Sequence, residues 1–200
     1  QTLHFHFTQK RHLITAQPWD VVVLQEQSTL SPQRPGDASA FIEAAGALEA
    51  AVHRVNPAAQ VVLMETWARA DQVYRTPGGR WQGQTLEAMQ ADLREAYAQA
   101  QARAACIAAV LPVGDVALRA VQEGVADRNP YDGITPGQWA LWGPDHFHFN
   151  AILFPNALAK LQGFLELITG VEVENPHGGF NLVKHMQDAA TFSPEGCRHG

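Results

Sequence analysis

Val21-Val22-Val23-Leu24-Gln25-Glu26-Gln27-Ser28 is the stretch that decides the fold of this chain. Four consecutive aliphatic residues after the turn Pro18-Trp19-Asp20 predict a strand buried on both faces, as in a parallel sheet. The run then switches abruptly to polar residues. In open parallel sheets ligands bind beyond the carboxyl ends of the strands, so residues 25–28 fall where a site belongs. The pattern repeats in Gln60-Val61-Val62-Leu63-Met64, followed by Glu65-Thr66-Trp67-Ala68-Arg69. A purely structural strand end usually closes with simple turn residues. Two polar and aromatic exits in succession therefore point to one functional edge. A third buried strand is predicted over 107–113, leading into Pro112-Val113-Gly114-Asp115.

Helical patterns fill the gaps. Phe41, Ala45, Leu48, Val52 and Val55 alternate steps of four and three behind Asp37, a candidate N-cap, and Asn56-Pro57 stops them. Thr85 precedes a second helix with Leu86, Met89, Leu93, Tyr97 and Ala100 on one face and Gln90, Asp92, Arg94 and Glu95 on the other. A short helix follows the third strand to about residue 123. A helical or irregular segment is predicted over 2–13. Residues 70–83, rich in glycine and aromatics, read as a flap over a site or as a solvent loop. The last helix, with Leu158, Leu161, Leu165 and Ile168 on one face, ends at Gly170, and 171–200 form a tail of weak periodicity. Strands alternating with helices give an α/β fold with a parallel sheet.

Composition narrows the function. The chain has 200 residues, is 46% hydrophobic and carries a net charge of −6 without a block of one sign. One domain with a full core fits that length. The charge argues against a nucleic-acid or anionic-membrane partner, and no apolar run is long enough to span a bilayer. Two cysteines are too few for a disulfide scaffold, and Cys106, inside an apolar run, is expected to behave as a buried small hydrophobe. No signal-peptide pattern opens the sequence, and the compartment stays open.

One loop carries more chemistry than the rest: Gly143-Pro144-Asp145-His146-Phe147-His148-Phe149-Asn150. An Asp three positions before a His can accept a hydrogen bond from its ring, fix the tautomer and stabilise the imidazolium. Asp145 and His148 are thus a candidate base pair for nucleophilic hydrolysis.

The segments 24–28, 66–69, 112–114 and 145–148 occur in the order Leu-Gln-Glu-Gln-Ser, Thr-Trp-Ala-Arg, Pro-Val-Gly and Asp-x-x-His. Together they resemble a bacterial branch of the SGNH (GDSL-like) hydrolases, over about residues 1–170. The resemblance implies a three-layer α/β/α sandwich of flavodoxin-like type with a Ser-His-Asp triad and no metal or cofactor. It implies that His148 is the general base and that Asp145 orients it. The family's oxyanion-hole amide, usually Asn, falls at Gln27, one carbon longer, with Gln25 beside it. Glu26, Trp67 and Arg69 are expected to position substrate or to hold the loops.

The departure lies in the nucleophile. The family's serine sits in a Gly-Asx-Ser block after the first strand, and here the serines are Ser28, Ser31, Ser39 and Ser193, none in such a block. The expectation is a domain over 1–170 lacking its first strand, with an open sheet edge prone to self-association, and a chain inactive by itself. The reading is a serine-type esterase acting on a small-molecule or carbohydrate ester. The alternatives are a non-catalytic binding relative and, less favoured, a metallohydrolase using His4, His6, His146 and His148.

Overall fold

The computed structural model describes residues 1–150. The chain opens with a helical run made of α1 (Leu3–Phe5), a π-helical turn (His6–Lys10) and α2 (Arg11–Ile14). Thr2 caps it, its hydroxyl accepting from the Phe5 N–H at 3.0 Å. Then come β1 (Val21–Leu24), α3 (Ser39–Val55), β2 (Gln60–Met64), α4 (Ala70–Tyr74), α5 (Leu86–Arg103), β3 (Ile107–Leu111) and α6 (Val113–Gln122).

The three strands form one parallel sheet in the order β1-β2-β3. Val21 lies beside Gln60, Leu24 beside Leu63, and Leu63 beside Val110. Parallel neighbours need a long crossover, and α3 and α5 supply the two crossovers. The structure is therefore α/β, with helices and a small parallel sheet.

One face of the sheet presents Leu24, Val61, Leu63 and Ile107 to Phe41, Leu48, Met89, Leu93 and Tyr97 of α3 and α5. Each such side chain, fully removed from water, contributes roughly 1.5–3 kcal/mol. The other face carries a smaller cluster of Val62, Ala109 and Leu111 with Met64, Val113 and Val116 against it. β1 lies at the end of the sheet, and among the described residues only β2 pairs with it. Its flank leaves Val23 39% and Trp19 41% exposed.

Local chemistry sets the boundaries. The Thr85 hydroxyl accepts from the Ala88 N–H at 3.1 Å and starts α5. Asp37 acts one residue earlier than a cap, accepting from the Ser39 N–H at 3.0 Å, while Ala38 holds the cap position. β3 stops at Leu111, two residues short of the expected end, because Pro112 has no N–H for the ladder and its carbonyl instead accepts from Val116 at the start of α6.

Three expectations need correcting. Residues 70–83 are not one loop: Ala70–Tyr74 form α4, and the remainder, exposed at Arg75, Pro77, Gly78, Arg80, Gln82 and Gly83, is tied down at one point. Trp81 is fully buried, its indole N–H donates to Asp92 at 2.9 Å, and Arg80 pairs with the same carboxylate. A large ring removed from water holds the segment down on α5. Gln90, expected on a solvated face, is fully buried because the exit of β2 needs its amide. Cys106 is half-buried and already has a partner, so it is not an inert core residue. The predicted last helix and the tail over 171–200 lie outside the described residues.

Candidate functional site

The exits of β1 and β2 are tied together first by hydroxyls. Ser28 Oγ lies 2.7 Å from Thr66 Oγ1, and both residues are buried. This serine is thus a structural cross-link between neighbouring strand ends.

The same two exits carry two buried carboxylates. Glu26 is 1% exposed, and its oxygens accept from the Leu3 N–H at 2.9 Å and the Gln27 N–H at 2.7 Å. Its own N–H donates to the Tyr97 hydroxyl at 2.9 Å. Desolvation pushes its carboxyl up to about 7, against the pull of the Gln27 and Leu3 N–H groups. These contacts hold α1 to the strand end, and they make Glu26 a residue that fixes the loop.

Glu65 is likewise 1% exposed. Its Oε1 accepts from Gln90 Nε2 at 2.7 Å and from the Asp115 N–H at 3.0 Å, at the start of α6. Desolvation, helped by the charge of Asp115, raises it to about 8, although the Asp115 N–H, Arg94 and Gln90 oppose the shift. Gln90 also accepts from the Ala68 N–H at 2.8 Å. Gly114 makes this junction possible. A Cβ there would stand 2.2 Å from Gln90 Nε2 and 2.2 Å from the Thr66 carbonyl oxygen. The Pro-Val-Gly segment therefore has a steric reason: only glycine lets α6 approach the exit of β2 this closely.

The Asp145–His148 loop sits on top of the β2 exit. It is closed by the Gly143 N–H on the His148 carbonyl at 2.8 Å and the Asn150 N–H on the Leu141 carbonyl at 2.9 Å. His146 takes the left-handed conformation at φ 59°, which turns the chain between Asp145 and Phe147. Asp145 Oδ1 accepts from the N–H groups of Phe147 at 3.1 Å and His148 at 3.0 Å. Its Oδ2 lies 2.7 Å from His148 Nδ1. Desolvation pushes the Asp145 carboxyl up, but the bond from the His148 ring, the two backbone N–H groups and the His148 charge outweigh it and hold it at about 2. Facing an ionised carboxylate, Nδ1 carries the proton of the neutral ring, and Nε2 is left with its lone pair. No described residue bonds Nε2, and the His148 side chain is 66% exposed. The ring is thus outside the apolar core and able to take a proton.

Two residues from the β2 exit grip this loop. The Trp67 indole N–H donates to the Phe147 carbonyl at 2.7 Å, and its ring stacks on Phe149 with centroids 4.0 Å apart. Arg69 donates twice to Asp71, at 2.9 and 2.7 Å, and its guanidinium lies 4.4 Å from the centre of the Phe147 ring. Tyr131 meets His146 edge-on at 4.3 Å and lies under the Arg75 guanidinium at 4.7 Å.

Thus Trp67 and Arg69 meet the dyad loop directly, while Ser28 bonds Thr66 and Glu26 bonds Leu3, Gln27 and Tyr97, and among the described residues neither bonds to the loop. Gln25 and Gln27 are half-buried at the β1 exit. Among the described residues Gln27 Nε2 is buried and has no hydrogen-bond partner. Reading the sequence missed Asp71, Gln90 and Phe149. Asp71 and Phe149 stand within two residues of Arg69 and His148, a proximity that could have drawn notice, but Gln90 lies in a polar helix stripe that gave no signal.

No group of three metal-ligating side chains among the described residues includes His4, His6, His146 or His148. Glu49, His53 and Cys106 do converge, but each already has a partner, and the two ring nitrogens of His53 face the Glu49 carboxylate and the Ala59 carbonyl. No described helix is long and apolar enough to cross a membrane. No known protein family, curated protein or solved structure matches this chain.

Proposed function

We propose that this chain is the base-bearing part of a serine-type acyl ester hydrolase, built as a three-layer, flavodoxin-like sandwich of the SGNH kind. The observation that carries the reading is the His148 ring: oriented by an ionised Asp145, exposed, bonded at Nε2 by no described residue, and carried on a loop that the β2 exit grips through Trp67. That is the state a general base needs before it meets its nucleophile.

The serine belongs on a strand outside these 200 residues, docked on the flank of β1 that no described strand occupies. His148 Nε2 removes the proton as Oγ attacks the acyl carbon. The tetrahedral oxyanion is met by the amide of Gln27, with Gln25 beside it. One such donor is typically worth ~10²–10³ in turnover. Collapse expels the alcohol, which takes its proton from the His148 imidazolium, and water then releases the acid by the same path in reverse. The substrate is a small acyl ester, a carbohydrate ester in the first instance.

A fluorophosphonate probe tests this. Serine Oγ would displace fluoride from phosphorus and leave a stable adduct detectable by mass. The chain extended through the coding sequence before Gln1 should be labelled at one serine, slowly or not at all once His148→Ala is made. The extended protein remaining unlabelled under conditions that saturate a control esterase would overturn the proposal.

A further inference from the structure

We infer that Trp67 is a positioning residue that holds the Asp145–His148 dyad in register with the sheet, and that it contacts the loop and not the substrate. The inference rests on the reading of His148 as a base, and it adds what keeps that base in place.

The dyad loop rises from a stem, Leu141 and Trp142, that is buried in the core, while its exposed tip with Asp145 and His148 has a local geometry of its own and a separate placement over the strand exits. Hydrogen bonds inside the loop, from Gly143 to His148 and from His148 to Asp145, set the first and leave the second open. Trp67 supplies the second. It leaves the sheet three residues after the end of β2, so its backbone moves with the core. Its N–H holds the carbonyl just before His148, and its ring holds the side chain just after it. The backbone of the base is therefore pinned on both sides by one rigid ring while the imidazole itself remains uncovered. Arg69 reinforces the first contact: its bidentate bond to Asp71 fixes the guanidinium over the Phe147 face. The polar atom of Trp67 is already used by Phe147, which leaves it no donor for a substrate. A base displaced by about 1 Å can cost ~10²-fold in rate, so such a tether matters to turnover far more than to binding.

The test uses Trp67→Phe, which keeps a flat ring against Phe149 and deletes the N–H. In ¹⁵N-labelled 200-residue protein, the His148 and Phe147 amides should exchange with solvent about fivefold faster or more, and the His148 Nδ1–H resonance should broaden. Exchange and resonance both unchanged in a folded variant would overturn the inference. Should Trp67→Phe fail to fold, Phe149→Leu removes the stacked partner and leaves the indole N–H; it should move the same signals in the same direction, and no movement again overturns the inference. In the serine-bearing protein kcat should fall roughly tenfold to a hundredfold with KM within about twofold. A raised KM at unchanged kcat would place Trp67 on the substrate and defeat the inference. Altered loop signals in a protein that hydrolyses no ester would sustain the tether and remove the esterase reading instead.

Discussion

Asp145 holds His148 twice: Oδ2 lies 2.7 Å from the ring Nδ1, and Oδ1 accepts the backbone N–H of the same residue at 3.0 Å. One carboxylate thus sets both the rotamer and the backbone of the base. Asp145→Asn has one oxygen for two partners: kept on the backbone N–H groups, it turns an amide NH2, a donor, towards the ring, and turned to the ring, it gives up the backbone. Turnover in the serine-bearing protein should fall by ~10²–10⁴, with little change in KM, because the imidazolium loses its counter-charge. Steady-state kinetics on p-nitrophenyl acetate measure this, and a loss below about threefold would remove Asp145 from the mechanism.

The same carboxylate gives the loop an acid limit. Its pKa is lowered in the folded protein from 3.8 to about 2. A depressed folded value means that the unfolded loop binds the proton first. The stabilisation is therefore present above about 3.8 and is lost as pH falls through about 2. Amide exchange of Phe147 and His148 should accelerate across that window, and Asp145→Asn should remove the step.

Glu65 works in the opposite sense. Burial raises its folded pKa from 4.5 to about 8, so the folded state holds the proton longer than the unfolded one. Its contribution is full below about 4.5 and is lost as pH rises towards about 8. Both of its donors, Gln90 Nε2 and the Asp115 N–H, meet Oε1, an arrangement that a glutamine reproduces. Glu65→Gln should match the parent at the acid end of the window and exceed it at the alkaline end. Urea midpoints measured across the window decide this, and a variant weaker at its alkaline end would contradict the assignment of a proton to Glu65.

Gly114→Ala should destabilise by about 1–3 kcal/mol, because the added methyl collides with Gln90 and with the fixed Thr66 carbonyl. Moving α6 away would also pull the Asp115 N–H off Glu65. Equal urea midpoints for variant and parent would show that α6 does not sit this close.

Gln27→Ala tests the oxyanion donor. Its Nε2 has no partner among the described residues, so the substitution breaks none of their hydrogen bonds at that atom. A loss of ~10² in kcat at an unchanged unfolding midpoint is expected. An unaltered kcat would take Gln27 out of the oxyanion hole.

The frame of this molecule was legible because its signals are local. Val21–Leu24 and Gln60–Met64 announce buried strands by unbroken aliphatic runs, and Thr85 announces α5 by a hydroxyl that has only one local use. The Asp145–His148 contact was legible for the same reason, since three residues of separation allow it within one turn. What was hidden depends on partners far along the chain. Gln90 looks like a surface residue until Glu65 and Ala68 claim it, and Trp81 looks like part of a loop until α5 offers it a bed. Glu26 was singled out for its place at a strand exit, yet its bonds to Leu3 and Gln27 turn it inward. Trp67 and Arg69 were expected at the site, but their grip on Phe147 and Phe149 spans 80 residues for the Trp67–Phe147 bond and is written in no local pattern.

The central claim is that the His148 imidazole takes the proton of a serine. Its most direct test is the hydrolysis of p-nitrophenyl acetate by the chain extended through the preceding coding sequence, measured beside its His148→Ala variant with folding checked by circular dichroism. Saturable turnover in the parent, reduced by at least ~10² in the folded variant, is the predicted result. Equal turnover in the two proteins would contradict it.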